Sequence, residues 1–104
     1  MYIVVFVTCQ NVDEARKIAK ALLSKRLAAC INILPQIESI YWWKNKIEES
    51  KEVLLIIKSK TALLNELIAE VKSLHSYETP EIIALPIIGG HTNYIKWLDQ
   101  ETSR

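Results

Sequence analysis

The chain has 104 residues, half of them hydrophobic, and 13 basic against 12 acidic side chains leave a formal net charge of +1. This length supports one packed core and a single domain over residues 1–104. The interspersed charges argue against a nucleic-acid or anionic-membrane partner held by bulk electrostatics. Residues 1–7 carry no basic leader and are too short to span a bilayer, and Cys9 and Cys30 lie in apolar surroundings, so a cytoplasmic protein with free thiols is expected.

Residues 2–7 form a β-branched apolar run, read as a strand buried on both faces. Asn11 is a good N-cap, and Glu14 stands at capping-box spacing from it. A helix over residues 12–26 follows, with Ala15, Ile18, Ala19, Leu22 and Leu23 as its apolar stripe. A second strand starts near Ala29. Ile31, Ile33 and Ile37 share one parity and Ile40 and Trp42 the other, which predicts a β-bulge near Glu38 and Ser39. Pro35 marks this strand as an edge. The segment Ile40-Tyr41-Trp42-Trp43-Lys44-Asn45-Lys46-Ile47-Glu48 reads as a long β-hairpin with Asn45 supplying a positive φ. The third strand leaves the turn at Lys46 and continues to Lys58, ending in a run that is apolar on both faces. A second helix spans residues 61–74, and Pro80 prevents it from continuing beyond the polar loop that begins at His75. Residues 81–88 form a fourth strand, an edge because of Pro86, and a last helix starts near Asn93.

The order βαββαβα gives an α+β fold: a ferredoxin-like βαββαβ sandwich with sheet order 4-1-3-2, a long hairpin and an extra C-terminal helix. Right-handed crossovers predict parallel pairing of the first strand with the third and the fourth. Two helices cover one face of such a sheet only. The other face, also apolar, predicts a homo-oligomer, because soluble monomers rarely leave a patch of that size open.

No phosphate-binding glycine loop, nucleophile elbow or aromatic RNA-binding strand motif is present. His75, just past the second helix and close to Tyr77, Glu78 and Glu81, suits a borderline divalent ion; the competing reading is a histidine favoured by the helix C-terminus. Cys9, at the first strand–helix turn, suits a soft ion such as Cu(I), or else acts as a small hydrophobe. Tyr41, Trp42 and Trp43 are read as an oligomer interface. No pairing of a nucleophile with a base points to an enzyme.

Four stretches bear a resemblance. Leu27-Ala28-Ala29-Cys30-Ile31-Asn32, the Tyr41–Glu48 hairpin, His75-Ser76-Tyr77-Glu78-Thr79-Pro80-Glu81 and Tyr94-Ile95-Lys96-Trp97-Leu98 together resemble the divalent-cation tolerance protein family, CutA. The resemblance covers nearly the whole chain. It implies a ferredoxin-like homotrimer, architecturally similar to PII signalling proteins, with a role in tolerance to divalent metals, copper especially. The family usually has glycine at the position of Asn45 and proline at that of Ser76. Copper ligands credited to some bacterial members fall here on Val7, Leu74 and His75, so one of the three is kept. The function expected is metal-ion response by weak binding of copper or another divalent ion at His75 and Cys9, with no organic cofactor and no catalysis. The alternatives are a PII-like module holding a small ligand in inter-subunit clefts near Lys58, Tyr77 and Glu81, and a purely structural trimer.

Overall fold

The computed structural model describes residues 1–103. The elements are β1 (Tyr2–Cys9), α1 (Val12–Ser24), β2 (Cys30–Trp43), β3 (Lys46–Lys60), α2 (Leu64–Leu74, entered through a 3-10 turn at Thr61–Leu63), β4 (Ile82–Pro86) and α3 (Thr92–Glu101). They form an α+β ferredoxin-like sandwich whose sheet order is β2-β3-β1-β4, the expected 4-1-3-2 counted from the other edge. Both proline-bearing strands lie at edges, where a missing N–H costs no ladder bond.

The expected parallel pairings are not there: β1 runs antiparallel to both β3 and β4. Each crossover spans one extra strand position. The β1-α1-β2 crossover leaves a gap that β3 fills, and the β3-α2-β4 crossover leaves a gap that β1 fills. Neighbouring strands therefore alternate in direction.

Local chemistry sets the ends of α1. Asn11 is extended, and its Oδ1 accepts the Glu14 N–H at 2.8 Å. The helix stops at Ser24, two residues before the expected end, because Arg26 takes φ 55°. Leu27 N–H then returns to Leu22 O at 2.9 Å and Arg26 N–H to Leu23 O at 3.0 Å, a Schellman closure that brings buried Leu22 and Leu27 together. Leu23, expected in the apolar stripe, is exposed.

The core lies between the sheet and the α1/α2 layer. Val5, Val7, Leu55 and Ile57 from the sheet meet Ile18, Leu22, Leu67 and Val71 from the helices, all fully buried. Burial of each is worth roughly 1.5–3 kcal/mol.

The β2–β3 arm contains two irregularities. Its bulge lies between Leu34 and Ile37, opposite Val53, rather than at Glu38 and Ser39. Pro35 has no ladder donor, so the unpaired residue is accommodated most cheaply beside it. At the tip Trp43 pairs with Lys46, and Lys44 and Asn45 take φ 50° and 66°, a two-residue type I′ turn.

The second face of the sheet stays largely open within one chain. The register places Val4, Phe6, Leu34, Leu54, Ile56, Ile83 and Leu85 on it. Leu34, Ile83 and Leu85 are exposed, whereas Val4, Phe6, Leu54 and Ile56 are half-buried. The third helix occupies one end of this face, tied down by a Lys60–Asp99 contact at 3.4 Å and an Arg26–Glu101 ion pair at 2.9 Å.

Candidate metal centre and adjoining cavity

Three chain segments converge where β1 ends. Cys9 is its last residue and points into the helix side with Val5 and Val7. Glu14 stands in the first turn of α1, aimed there by the Asn11 cap. His75 caps α2 in extended conformation, and the following loop crosses the end of the sheet. The side chains of Cys9, Glu14 and His75 each bring one ligand atom within 4.8 Å of the other two.

Hydrogen bonding fixes the His75 ring. Its Nε2 lies 2.7 Å from Thr8 O, a carbonyl that can only accept, so Nε2 carries the proton. Its Nδ1 accepts the Tyr77 N–H at 3.1 Å. The ring is the neutral Nε2–H tautomer, and its side chain is 0% exposed. Glu14 Oε2 accepts the Ser76 N–H at 3.2 Å, so its carboxylate joins the α2 loop and does not complete a capping box. Glu14 Oε1 is buried with no hydrogen-bond partner and stands 3.7 Å from His75 Nδ1. Burial pushes the Cys9 thiol up to about 12, reinforced by the Glu14 and Glu52 carboxylates. Without a metal, this cysteine is an inert thiol.

A cavity of about 630 Å³ opens on the other side of the sheet end. Tyr77 belongs to its wall, as do Thr8, Tyr41, Trp43, Glu52 and Glu81. The Tyr77 hydroxyl donates to Glu52 Oε2 at 2.7 Å, and its ring leans on that of His75 with centroids 4.7 Å apart. Burial, then the hydrogen bond to Glu52, raises the phenol well above its ordinary value.

The expected site residues thus separate into groups. His75 and Cys9 come together, and Tyr77 and Glu81 share the cavity wall. Lys58 does not join them within one chain. It lies six residues along β3 from Glu52, about 20 Å at the rise of a strand, and its ammonium donates to Asn32 Oδ1 with Cys30 Sγ 3.9 Å away. Tyr41 and Trp43 face the cavity, whereas Trp42 points the opposite way and is 72% exposed beside Ile40 and Ile47. Sequence reasoning missed Glu14 as a site residue, because its place in the first helical turn already had an explanation. It missed Glu52 as well, whose place among the lysines and glutamates of residues 46–52 gives no sign that it is buried.

The profile of the CutA1 divalent ion tolerance protein family matches residues 3–101. The chain belongs to this family. It is 52% identical over 97 residues to Protein CutA of Mus musculus, a match covering 93% of this chain and 55% of the mouse protein. It is 46% identical over 99 residues to the divalent-cation tolerance protein CutA of Thermus thermophilus, covering 95% of this chain and 96% of that one. The chain spans about half the length of the rice, mouse and human relatives it matches. Among solved structures, the Thermus thermophilus Cut A1 protein superposes with a TM-score of 0.97 at 46% identity, covering 99% of this chain and 100% of that one. The Archaeoglobus fulgidus CutA, described as periplasmic, superposes with a TM-score of 0.96 at 41% identity, covering 99% of this chain and 100% of that one. CutA relatives thus include one described as periplasmic and others described as chloroplastic. Among the described residues no helix is long and apolar enough to cross a membrane. The family is named for cation tolerance and not for an enzymatic reaction.

Proposed function

We propose that this CutA-family chain is a cytoplasmic, non-enzymatic, homotrimeric protein of metal-ion response that binds copper or another divalent ion weakly through His75, with Cys9 as second ligand. The observation that carries the reading is the convergence of ligand atoms from Cys9, Glu14 and His75 within 4.8 Å at the end of β1. Imidazole and thiol suit borderline and soft ions better than magnesium or calcium. The open apolar face and the exposed Trp42, Ile40 and Ile47 on the arm support self-assembly, which would withdraw that surface from water. Isothermal titration of the reduced chain and of His75→Ala with Cu(II) and Zn(II) tests the metal claim: heat is expected from the first and not from the second, and flat traces from both remove it. Sedimentation tests the assembly: a mass three times the chain's 12.0 kDa is expected, and a monomer at micromolar concentration removes it.

A second reading is favoured by the cavity beside Tyr77 and Glu81. Its volume suits a small molecule, as a PII-like regulatory module would need. Thermal shift against nucleotides and acidic metabolites tests it, because a ligand that binds only the native state raises the melting temperature.

A further inference from the structure

We infer that the end of β1 is a three-ligand centre for a divalent ion of the zinc type, held by Cys9 Sγ, Glu14 Oε1 and His75 Nδ1, and that the ion enters by taking the lone pair that otherwise holds the Tyr77 amide. The inference rests on the metal reading above, and it commits to the ion class, the third ligand and the structural consequence.

Glu14 carries the argument. Its side chain is 10% exposed, its Oε2 is occupied by the Ser76 amide, and its Oε1 is buried with no partner. A buried carboxylate oxygen without a donor is costly to keep. The group it approaches is His75 Nδ1, which is already occupied as an acceptor and offers it no proton. A cation between the two removes the conflict.

His75 is already oriented for ligation. Donation of one ring N–H to a backbone carbonyl is the usual support of a metal-bound imidazole, and the Nε2–H bond to Thr8 O at 2.7 Å supplies it. The ligating nitrogen is then Nδ1. Its 3.7 Å separation from Glu14 Oε1 is close to the spacing of about 3.3 Å between nitrogen and oxygen ligands around tetrahedral zinc.

Charge selects the ion. On binding, the Cys9 S–H bond breaks, a sulfur–metal bond forms and the proton leaves to solvent. Thiolate and carboxylate together bring two negative charges and the imidazole none. A divalent ion leaves this buried centre neutral, whereas a monovalent one leaves it anionic, which burial penalises. The mixed nitrogen, sulfur and oxygen donors fit zinc and not the hard oxygen-seeking cations.

The ion and the Tyr77 N–H cannot share one lone pair. Loading therefore releases the amide of a residue whose hydroxyl and ring help form the cavity wall. The metal centre and the cavity are coupled through His75 Nδ1.

Cobalt(II), as a spectroscopic stand-in, and zinc are titrated into the reduced 104-residue chain. Wild type should give a thiolate-to-cobalt charge-transfer band that Cys30→Ser keeps and Cys9→Ser loses. Glu14→Gln, which keeps an acceptor for Ser76, should weaken zinc binding at least about tenfold. Hydrogen exchange at the Tyr77 amide, read on wild type and so independent of any folding defect, should speed up when zinc is bound. Undiminished affinity in Glu14→Gln, no thiolate band, or unchanged exchange at Tyr77 overturns the centre while leaving metal binding elsewhere on the chain intact. Absence of any uptake by wild type overturns both this centre and the metal reading beneath it.

Discussion

The Tyr77 hydroxyl donates to Glu52 Oε2 at 2.7 Å, joining the loop after α2 to the middle of β3 in the wall of the cavity. Glu52 is 8% exposed, so this hydroxyl is a large part of what makes its burial tolerable. Tyr77→Phe should therefore destabilise the protein by about 1–3 kcal/mol. For a domain near this size that is a fall in melting temperature of about 4–8 °C per kcal/mol, read by differential scanning calorimetry at fixed protein concentration. An unchanged melting temperature would mean that Glu52 finds another donor.

The Cys9 thiol gives a pH dependence with a definite sign. Its value in the folded state, about 12, stands above the ordinary 9.0. The stability it contributes is fully present below pH 9 and is lost as pH rises from 9 toward 12, because the unfolded chain surrenders the proton first. Denaturant midpoints of wild type and Cys9→Ala, compared across that window, should converge as the pH rises. Parallel curves would show that the thiol does not titrate as its burial requires.

The hairpin tip predicts a pair of opposite effects. Asn45 stands at φ 66° in a two-residue turn. Asn45→Gly should leave stability unchanged or raise it slightly, whereas Asn45→Val should cost about 1–2 kcal/mol, the penalty of a left-handed backbone for a residue with a crowded Cβ. Urea midpoints of the two variants check this.

Trp42 is 72% exposed and shares its side of the arm with Ile40 and Ile47. If a neighbouring copy covers this patch, Trp42→Glu should shift the sedimentation profile toward monomer, because a buried unpaired charge at an apolar contact is expensive. Tyr41→Phe, which loses a 3.3 Å contact with Ser50 within the same arm, should not. Equal profiles for Trp42→Glu and wild type would place the contact elsewhere.

Much of the fold was legible because proline and apolar parity speak directly. Pro35 and Pro86 marked the edge strands, Asn45 marked the turn, and Asn11 marked the start of α1. Strand direction was not legible: residues such as Val5 and Ile57 are apolar in either orientation, and only the gap-filling geometry of two crossovers decides between them. The bulge was misplaced by a few residues because Ile37 has the same parity as Ile33 yet lies on the opposite face once the extra residue is passed. The candidate site was half legible. Cys9 and His75 have metal-ligand chemistry wherever they fall, but their meeting depends on tertiary folding. Glu14 was hidden by its role at a helix start, and Lys58, grouped with Tyr77 and Glu81 for a cleft between subunits, stands apart from them within one chain because of strand length.

The extra residue beside Pro35 also bears on how the arm can change. Beyond it, Tyr41 and Trp43 look toward the cavity while Trp42 looks away, because they pair with Glu48, Lys46 and Ile47 of an uninterrupted β3. Losing a single residue between Pro35 and the tip would be absorbed there: the ladder would close without the extra residue, and Tyr41 and Trp43 would still pair with Glu48 and Lys46 on the same side. One residue removed from each strand would shorten the arm by a single rung and exchange the two sets, turning the exposed indole inward and both cavity aromatics outward, so this protrusion keeps its inside and outside only when it grows or shrinks by two rungs at a time.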